Sequence, residues 1–463
     1  MLMPSLDTSI ANAGLPTLAQ AFTASFQDVQ WIVLAYLLAI TSLIVSVGRL
    51  GDIIGRRRLL MVGICLFTGA SLLCGVAPTL RLLIAARAAQ GLGAAVMMAL
   101  TVAFVGETVP KARTGSAMGL LGTMSAIGTT LGPSLGGVLI SGFGWRSIFL
   151  VNVPLGILNL LLAHRTLPAD RRAPKADRAG FDVVGTLLLA LTLAAYALAM
   201  TIGRGHFDRL SLALLSAAVL GGSLFVLAEA RVASPLVRLA MFRNPGLSAS
   251  LAMGTLVATV MMATLVVGPF YLSRGLGLET EIVGLVLSIG PTISVLSGFL
   301  AGRIVDRLGA PFVVIAGLIE MAAGSFALTV LPALFGLAGY IAAIAILTPG
   351  YQLFQAANNT AIMTDVPPDR RGVVSGMLSL SRNLGLITGA SVMGAVFAAA
   401  SATADLAAAH PEAVATGMRV TFTVAAILIV GALTLAVGTY RHALRHRALA
   451  PEAALQTDEK GAR

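Results

Sequence analysis

Charge is what this sequence has least of. Only 11% of its 463 residues are charged, where a water-soluble domain carries about a quarter. With 57% hydrophobic residues and a mean hydropathy of +0.91, the chain cannot remain in water as a globule, so soluble enzymes and soluble binding modules are excluded. The acidic residues are scarcer than the basic ones, 20 against 31, for a net charge of +11. In a soluble protein that excess would suggest nucleic acid. Here the cations sit in short segments between apolar runs, where topology and anionic lipid account for them, and no nucleic-acid partner is expected. Cysteine is nearly absent. Cys65 and Cys74 lie in one apolar run, about 13 Å apart along a helix and beyond disulfide reach, so both are expected to be small buried hydrophobes. The five histidines fall at loops and helix ends without ligand spacing, so no metal site is expected. No Gly-x-x-x-x-Gly-Lys-[Ser/Thr] stretch occurs, which leaves an ion gradient, with no bound cofactor, to drive any transport. There is no cleavable signal pattern before the first apolar run.

What the chain does have is long apolar runs. A spanning helix needs about 20 mostly apolar residues. Fourteen runs qualify, over 1–22, 29–49, 58–78, 80–105, 113–141, 145–165, 181–202, 209–229, 245–273, 280–304, 311–331, 333–363, 370–400 and 418–440. The segments after the even-numbered runs, with the C-terminal tail, hold 23 of the 31 Lys and Arg, and those after the odd-numbered runs hold six. That asymmetry predicts a multi-pass protein of the cell membrane with both termini in the cytoplasm. Trp31 and Trp145 then fall at outer helix ends, as interfacial anchors do.

The stretch Gly48 to Arg58, GRLGDIIGRRR, organises the pattern. Gly48 and Gly55 let helix ends approach a neighbour, Asp52 suits the positive N-terminal end of another helix, and Arg56 to Arg58 hold the loop inside. A basic topogenic loop is the plainer reading, but the stretch recurs. Gly302, Asp306 and Gly309 repeat Gly48, Asp52 and Gly55 at an offset of 254 residues. Gly115, Gly119, Gly128, Gly132 and Gly137 are matched by Gly372, Gly376, Gly385, Gly389 and Gly394 at an offset of 257. Two parallel repeats follow. The predicted fold is an all-α polytopic membrane protein: a six-helix bundle over 1–165, a loop with two inserted helices over 166–244, a second six-helix bundle over 245–440, and a polar, disordered tail over 441–463.

Several residues invite chemistry. Asp7 is an acid inside a span, which is costly and marks a functional candidate unless it sits at a wet helix end. Desolvation would let it take and release a proton. Arg87 is deep in span 4 and needs a counter-charge or a watery cavity. Arg382 and Asn383 in span 13 and Glu320 in span 11 are weaker candidates of the same kind. In span 5, Gly128, Gly132 and Gly136 form a small-residue groove, and Pro133 removes a helix hydrogen bond and bends the helix.

On these motifs the chain resembles a transporter of the major facilitator superfamily, of the 14-span drug:proton antiporter type, the EmrB/QacA kind. GRLGDIIGRRR resembles the superfamily loop, with Ile53 in place of its usual basic residue. LDTSIANAGLP (Leu6 to Pro16) is similar to the span-1 signature. Arg87, Gln90, Gly91 and Gly93 match the span-4 pattern, Gly128, Gly132, Pro133, Gly136 and Gly137 the span-5 antiporter motif, and WRSIFLVNVP (Trp145 to Pro154) the start of span 6. The resemblance implies that Arg87 engages span 1 and modulates proton transfer, and that the span-5 bend seals the cavity. It places spans 1, 4, 9 and 12 around a central cavity, with Asn12, Gln90, Met97, Met98, Met261, Met262, Phe270, Tyr271, Tyr351, Gln352, Gln355, Asn358 and Asn359 as candidate lining. Relatives carry further residues before the span-1 aspartate, so translated residues upstream of Met1 are expected. The function implied is proton-coupled export of small lipophilic compounds, cationic ones included, by a monomer in lipid. A carrier of one metabolite is the alternative within transport. A membrane-embedded sensor is the alternative outside it, and would need an output domain that the short loops do not supply.

Overall fold

The computed structural model describes residues 1–108, 114–167, 182–202, 208–232, 235, 239–364, 371–401 and 410–461. Lys111, Arg113, Asp369 and Arg370, and the side chain of Asp52, lie outside what is described. Among the described residues every regular element is helical. The first part of the chain comprises α1 (Leu2–Ala13), α2 (Leu15–Ala21), α3 (Phe26–Ile54), α4 (Arg56–Val76), α5 (Leu80–Thr108), α6 (Thr114–Phe143), α7 (Ser147–Leu150) and α8 (Asn152–Thr166). A pair, α9 (Val183–Ile202) and α10 (Arg209–Glu229), precedes α11 (Pro245–Phe270), α12 (Thr280–Leu308), α13 (Ala310–Thr364), α14 (Arg371–Thr388), α15 (Gly394–Ala400) and α16 (Pro411–Gly461).

Local sequence explains the helix starts. Ser25 caps α3 in a reciprocal pair with Asp28. Asn244 caps α11, its side chain accepting from the backbone N–H groups of Gly246 and Leu247, with Pro245 in the first turn. Asp208 caps α10, and the Ser211 N–H donated to it at 2.7 Å holds its carboxyl below the ordinary carboxylate range.

Twelve helical stretches among the described residues are long and apolar enough to cross a membrane, against fourteen predicted runs. The difference arises at two places. The first run is broken at Gly14 into helices of 12 and 7 residues, each shorter than a crossing. The eleventh and twelfth runs join in α13, whose apolar stretch Ala310–Ile362 covers 53 residues. A straight helix of that length would extend about 80 Å, far beyond a bilayer core of about 30 Å. It is not straight: Gly336 has φ 54° and ψ −128°, open only to glycine. The arms on either side run antiparallel. A Cβ added at Gly324 would come within 2.6 Å of the Leu347 backbone, and one at Gly317 within 2.7 Å of the Phe354 nitrogen.

The internal repeat is visible as repeated contacts. A Cβ at Gly93 of α5 would meet Gly63 and Phe67 of α4 within 2.8 Å, and one at Gly350 would meet Gly317 and Met321 within 2.9 Å. The two arms of α13 therefore pack as α4 and α5 do. In the same way Gly128 and Gly132 of α6 lie against α1, and Gly385 and Gly389 lie against α11. Gly55 (φ 103°) and Gly309 (φ 84°) end α3 and α12 alike, each N–H bonding back four residues at 2.9 Å. Both loops thus turn through a conformation that glycine tolerates.

Within the first part α3 packs along α5, α1 along α6, and α4 against α5 and α8; later, α11 packs along α14 and α16, and α12 against α13. The two sets meet where α6 crosses α12, with Pro133 and Gly137 against Gly284 and Thr280. They meet again where Phe26 of α3 touches Phe270 (ring centroids 4.7 Å) and Phe397 of α15 (5.4 Å). At that end a π-helical turn, Gly389–Met393, interrupts the helix, and its Ala390 carbonyl accepts from Gln30 Nε2 at 2.8 Å. α9 lies antiparallel along α3, tied by Trp31 to Thr201 and Ser46 to Thr186, each at 3.0 Å, and reaches α14 through Tyr196 and Thr388 at 3.3 Å.

Two expectations are corrected here. Where a disordered tail was expected, α16 continues as helix to Gly461, in keeping with the helix-favouring Ala, Leu and Arg of that stretch. Cys65 is not buried but faces outward, while Cys74 is buried and hydrogen-bonded, because nine residues of helix carry the two to different faces.

Candidate functional site

Asp7 is fully buried in α1, not at a wet helix end. Its Oδ2 accepts from Arg87 Nη1 at 2.5 Å, and its Oδ1 accepts from Gln90 Nε2 and Asn152 Nδ2, both at 2.8 Å. Arg87 is equally buried. Its Nη1 also donates to Gln90 Oε1 at 2.6 Å, its Nε donates to the Ile32 carbonyl at 3.0 Å, and its guanidinium lies over the Tyr36 ring at 4.2 Å. Gln90 Nε2 donates onward to Ser71 Oγ at 2.8 Å, and the Cys74 thiol points at Gln90 Oε1 from 3.8 Å.

The helices bring these groups together for simple reasons. Arg87 and Gln90 are three residues apart on α5 and share a face. Ser71 and Cys74 are spaced likewise on α4. Gly91, whose added Cβ would meet the Tyr36 carbonyl at 2.5 Å, lets α5 lie close enough to α3 for Arg87 to reach Ile32 and Tyr36. Gly128, Gly132 and Gly136 let α6 press on α1, with Gly132 against Ser9 and Gly136 against Ile10; Ser5 and Ser9 bond across to Ser125 and the Thr129 carbonyl. Asn152 enters at the start of α8.

The electrostatics follow from burial. A lone charge here would be prohibitively costly, and the pair persists because opposite charges touch and their remaining polar atoms are bonded. Each of the three partners donates a hydrogen bond to Asp7. A proton arriving on Asp7 would cancel the charge that holds Arg87. Among the described residues six buried amide atoms stand without a partner; on α1 and α8 they are both ends of Asn12 and Oδ1 of Asn152.

The other predicted residues lie elsewhere. Glu320 is half-buried on α13, beside Gly350. Arg382 is exposed and is not drawn into an interior charge cluster. Met97 is buried with Leu59, Leu60 and Phe67 in a packed core, so it does not line an open cavity. Phe270 is held by Phe26, and Tyr271 stacks on Tyr340 at 6.0 Å. Met261 is half-buried and Met262 buried. Gln352 turns to the Ser294 carbonyl at 2.9 Å, and Asn358 to that of Ser250 at 3.4 Å. Gln355 is half-buried and Asn359 exposed. Gly302 and Asp306 stand at the end of α12, where Asp306 is exposed, and Gly48 and Asp52 occupy the last turns of α3. Sequence reasoning passed over Ser71, Tyr36 and Asn152. Asn152 was inside a quoted motif, and Ser71 was a polar residue one turn from Cys74 in an apolar run.

A family model described as Major Facilitator Superfamily matches residues 1–390. The chain belongs to the major facilitator superfamily. Its members are transporters rather than enzymes, and this one is a multi-pass membrane protein of that fold, its regular elements helical among the described residues. It is 32% identical over 398 residues to the riboflavin transporter RibZ of Clostridioides difficile (strain 630), covering 86% of each chain. It is 33% identical over 405 residues to the multidrug resistance protein Stp of Mycobacterium tuberculosis (strain ATCC 25618 / H37Rv), covering 86% of this chain and 74% of Stp. Its fold matches a bacterial homologue of the human lysosomal transporter Spinster, solved inward-facing and occupied, with a TM-score of 0.69 at 16% identity over 95% of this chain and 94% of that one.

Proposed function

We propose that this protein is a secondary exporter of small lipophilic molecules driven by exchange for protons. The observation that carries the reading is the fully buried Asp7–Arg87 pair with its neutral donors. A group that can gain or lose one proton beside a trapped arginine converts protonation into a change of helix contacts. The likeness to Stp supports drugs as cargo. Protons, a lipophilic or cationic compound and membrane lipid are then the partners, and the working unit is a monomer.

The reading includes fourteen crossings: α1 with α2 as the first, and the two arms of α13 as the eleventh and twelfth. The six-helix bundles 1–165 and 245–440 rock about a midplane site, with 166–244 inserted between them and both termini in the cytoplasm. The Phe26 end is then the outer end, closed in this conformation. Cysteine labels at Ala310, Phe335 and Arg371 in a cysteine-free background test the count. Ala310 and Arg371 are expected to react from the cytoplasm and Phe335 from outside; Ala310 and Arg371 labelling from opposite sides refutes it.

The transport claim is tested by efflux of a preloaded compound panel from right-side-out vesicles with and without an imposed pH gradient. Efflux that ignores the gradient refutes proton exchange. A second reading, a carrier dedicated to one metabolite, is favoured by the likeness to RibZ. Riboflavin in the same panel, moved to the exclusion of lipophilic cations, would establish it.

A further inference from the structure

Asp7 has three partners, and they differ in what they do when a proton arrives. Arg87 is a donor only. Gln90 is held in one orientation: its Nε2 donates to Asp7 Oδ1 and Ser71 Oγ, and its Oε1 takes Arg87 Nη1 and the Cys74 thiol. Turning that amide over would spoil all four contacts. Asn152 is different. Its Nδ2 donates to Asp7 at 2.8 Å, and its Oδ1, on a fully buried side chain, accepts from nothing. Turning over its amide exchanges one lone atom for another and costs no existing bond other than the one to Asp7.

We propose that Asn152 is the positioning residue that adapts the site to both protonation states of Asp7. It donates Nδ2–H to the carboxylate, and it turns over to offer Oδ1 to the O–H of the carboxylic acid. This role rests on the proton-exchange reading given above. An ionised acid surrounded by donors is otherwise penalised on taking a proton, because the new O–H faces N–H groups. A single amide able to reverse removes that penalty. Arg87 is then free to leave a neutral partner while the acid remains bonded. The other titratable groups around Asp7 are Arg87 from α5, Tyr36 from α3 and Cys74 from α4. From α1 there is none between Met1 and Pro16, and α8 presents the neutral Asn152 itself.

The test uses the full-length protein in detergent and needs no transport. The infrared carbonyl band of a protonated carboxyl, identified by its loss in Asp7→Asn, is titrated in wild type and in Asn152→Leu, which keeps the size and removes donor and acceptor. The carboxylate loses a charge-assisted bond and the acid a weaker neutral one, so the midpoint is expected to rise by about one pH unit. The band itself is expected to move from the frequency of a hydrogen-bonded acid to that of a free one. Asn152→Ala, which adds no bulk, is read the same way if the leucine variant does not accumulate. A midpoint and band unchanged in the variants overturn the proposal, as does a wild type with no Asp7-dependent band between about pH 4 and pH 10. Vesicle efflux, measured alongside, reports separately: gradient-independent transport with the band shift intact overturns proton exchange and leaves the role of Asn152 standing.

Discussion

Removing either charge of the Asp7–Arg87 pair leaves the other fully buried without its counter-charge. In Asp7→Asn the guanidinium keeps the Gln90 and Ile32 acceptors, an amide oxygen in place of the carboxylate, and the face of Tyr36. In Arg87→Met the carboxylate keeps Gln90 and Asn152 as donors but no counter-charge. Breaking a buried pair costs about 3–5 kcal/mol, which places Asp7→Asn near ~3 and Arg87→Met near ~4. Independent effects would sum to ~7 kcal/mol, but the double variant leaves no unpaired charge and is expected near ~4, a coupling of ~3 kcal/mol. The assay is unfolding in mixed micelles under increasing denaturing detergent, followed by helical circular dichroism. A double variant within about 0.5 kcal/mol of the sum would refute the direct pairing and the functional reading built on it. In vesicles the double variant is expected to bind cargo yet lose all response to the pH gradient.

Gly132→Ala should lower stability by about 1–3 kcal/mol, since its Cβ would lie 2.5 Å from that of Ser9, whereas Gly142→Ala, with nothing within 4 Å, should be nearly neutral in the same unfolding assay. Gln30→Ala removes the bond to the Ala390 carbonyl at a cost of about 0.5–1.5 kcal/mol, so the open population of the Phe26 end should rise by about two- to tenfold, read as spin-label distances between α3 and α15. Gly336→Ala forces a side chain into a glycine-only backbone conformation and should destabilise by about 1–3 kcal/mol, with no such loss for Gly431→Ala. For the organising loop, Asp52→Asn should favour the state open at the cytoplasmic side and slow turnover; an unchanged distance distribution between α3 and α14 would reduce that loop to a topology signal.

How much was legible in the sequence divides along a physical line. Periodic features were readable, because hydrophobicity over about 20 residues reports the membrane directly, and the repeat announced itself in glycines at offsets of 254 and 257. Among those glycines, Gly128 and Gly132 are contacts through which α6 meets α1, and Gly385 and Gly389 are contacts through which α14 and the π-helical turn after it meet α11. Asp7 and Arg87 could be singled out because ionisable groups inside apolar runs are conspicuous. Partnership was not readable. Gln90 and Asn152 are separated from Asp7 by 83 and 145 residues, and nothing local ties them together. Nor could the candidate cavity residues be sorted: Phe270, Tyr271 and Met97 have the right chemistry for a binding pocket and are spent in packing, because which side of an apolar helix meets a neighbour depends on the neighbour. By itself the sequence determined the membrane class, the duplicated halves and the two charges that demand an explanation, since each is a property of composition and spacing. The tertiary structure alone decided that those charges face each other, that the neutral amides of Gln90 and Asn152 bond to the acid, and that one of these, Asn152, keeps an acceptor in reserve, since a hydrogen bond is settled by distance and direction.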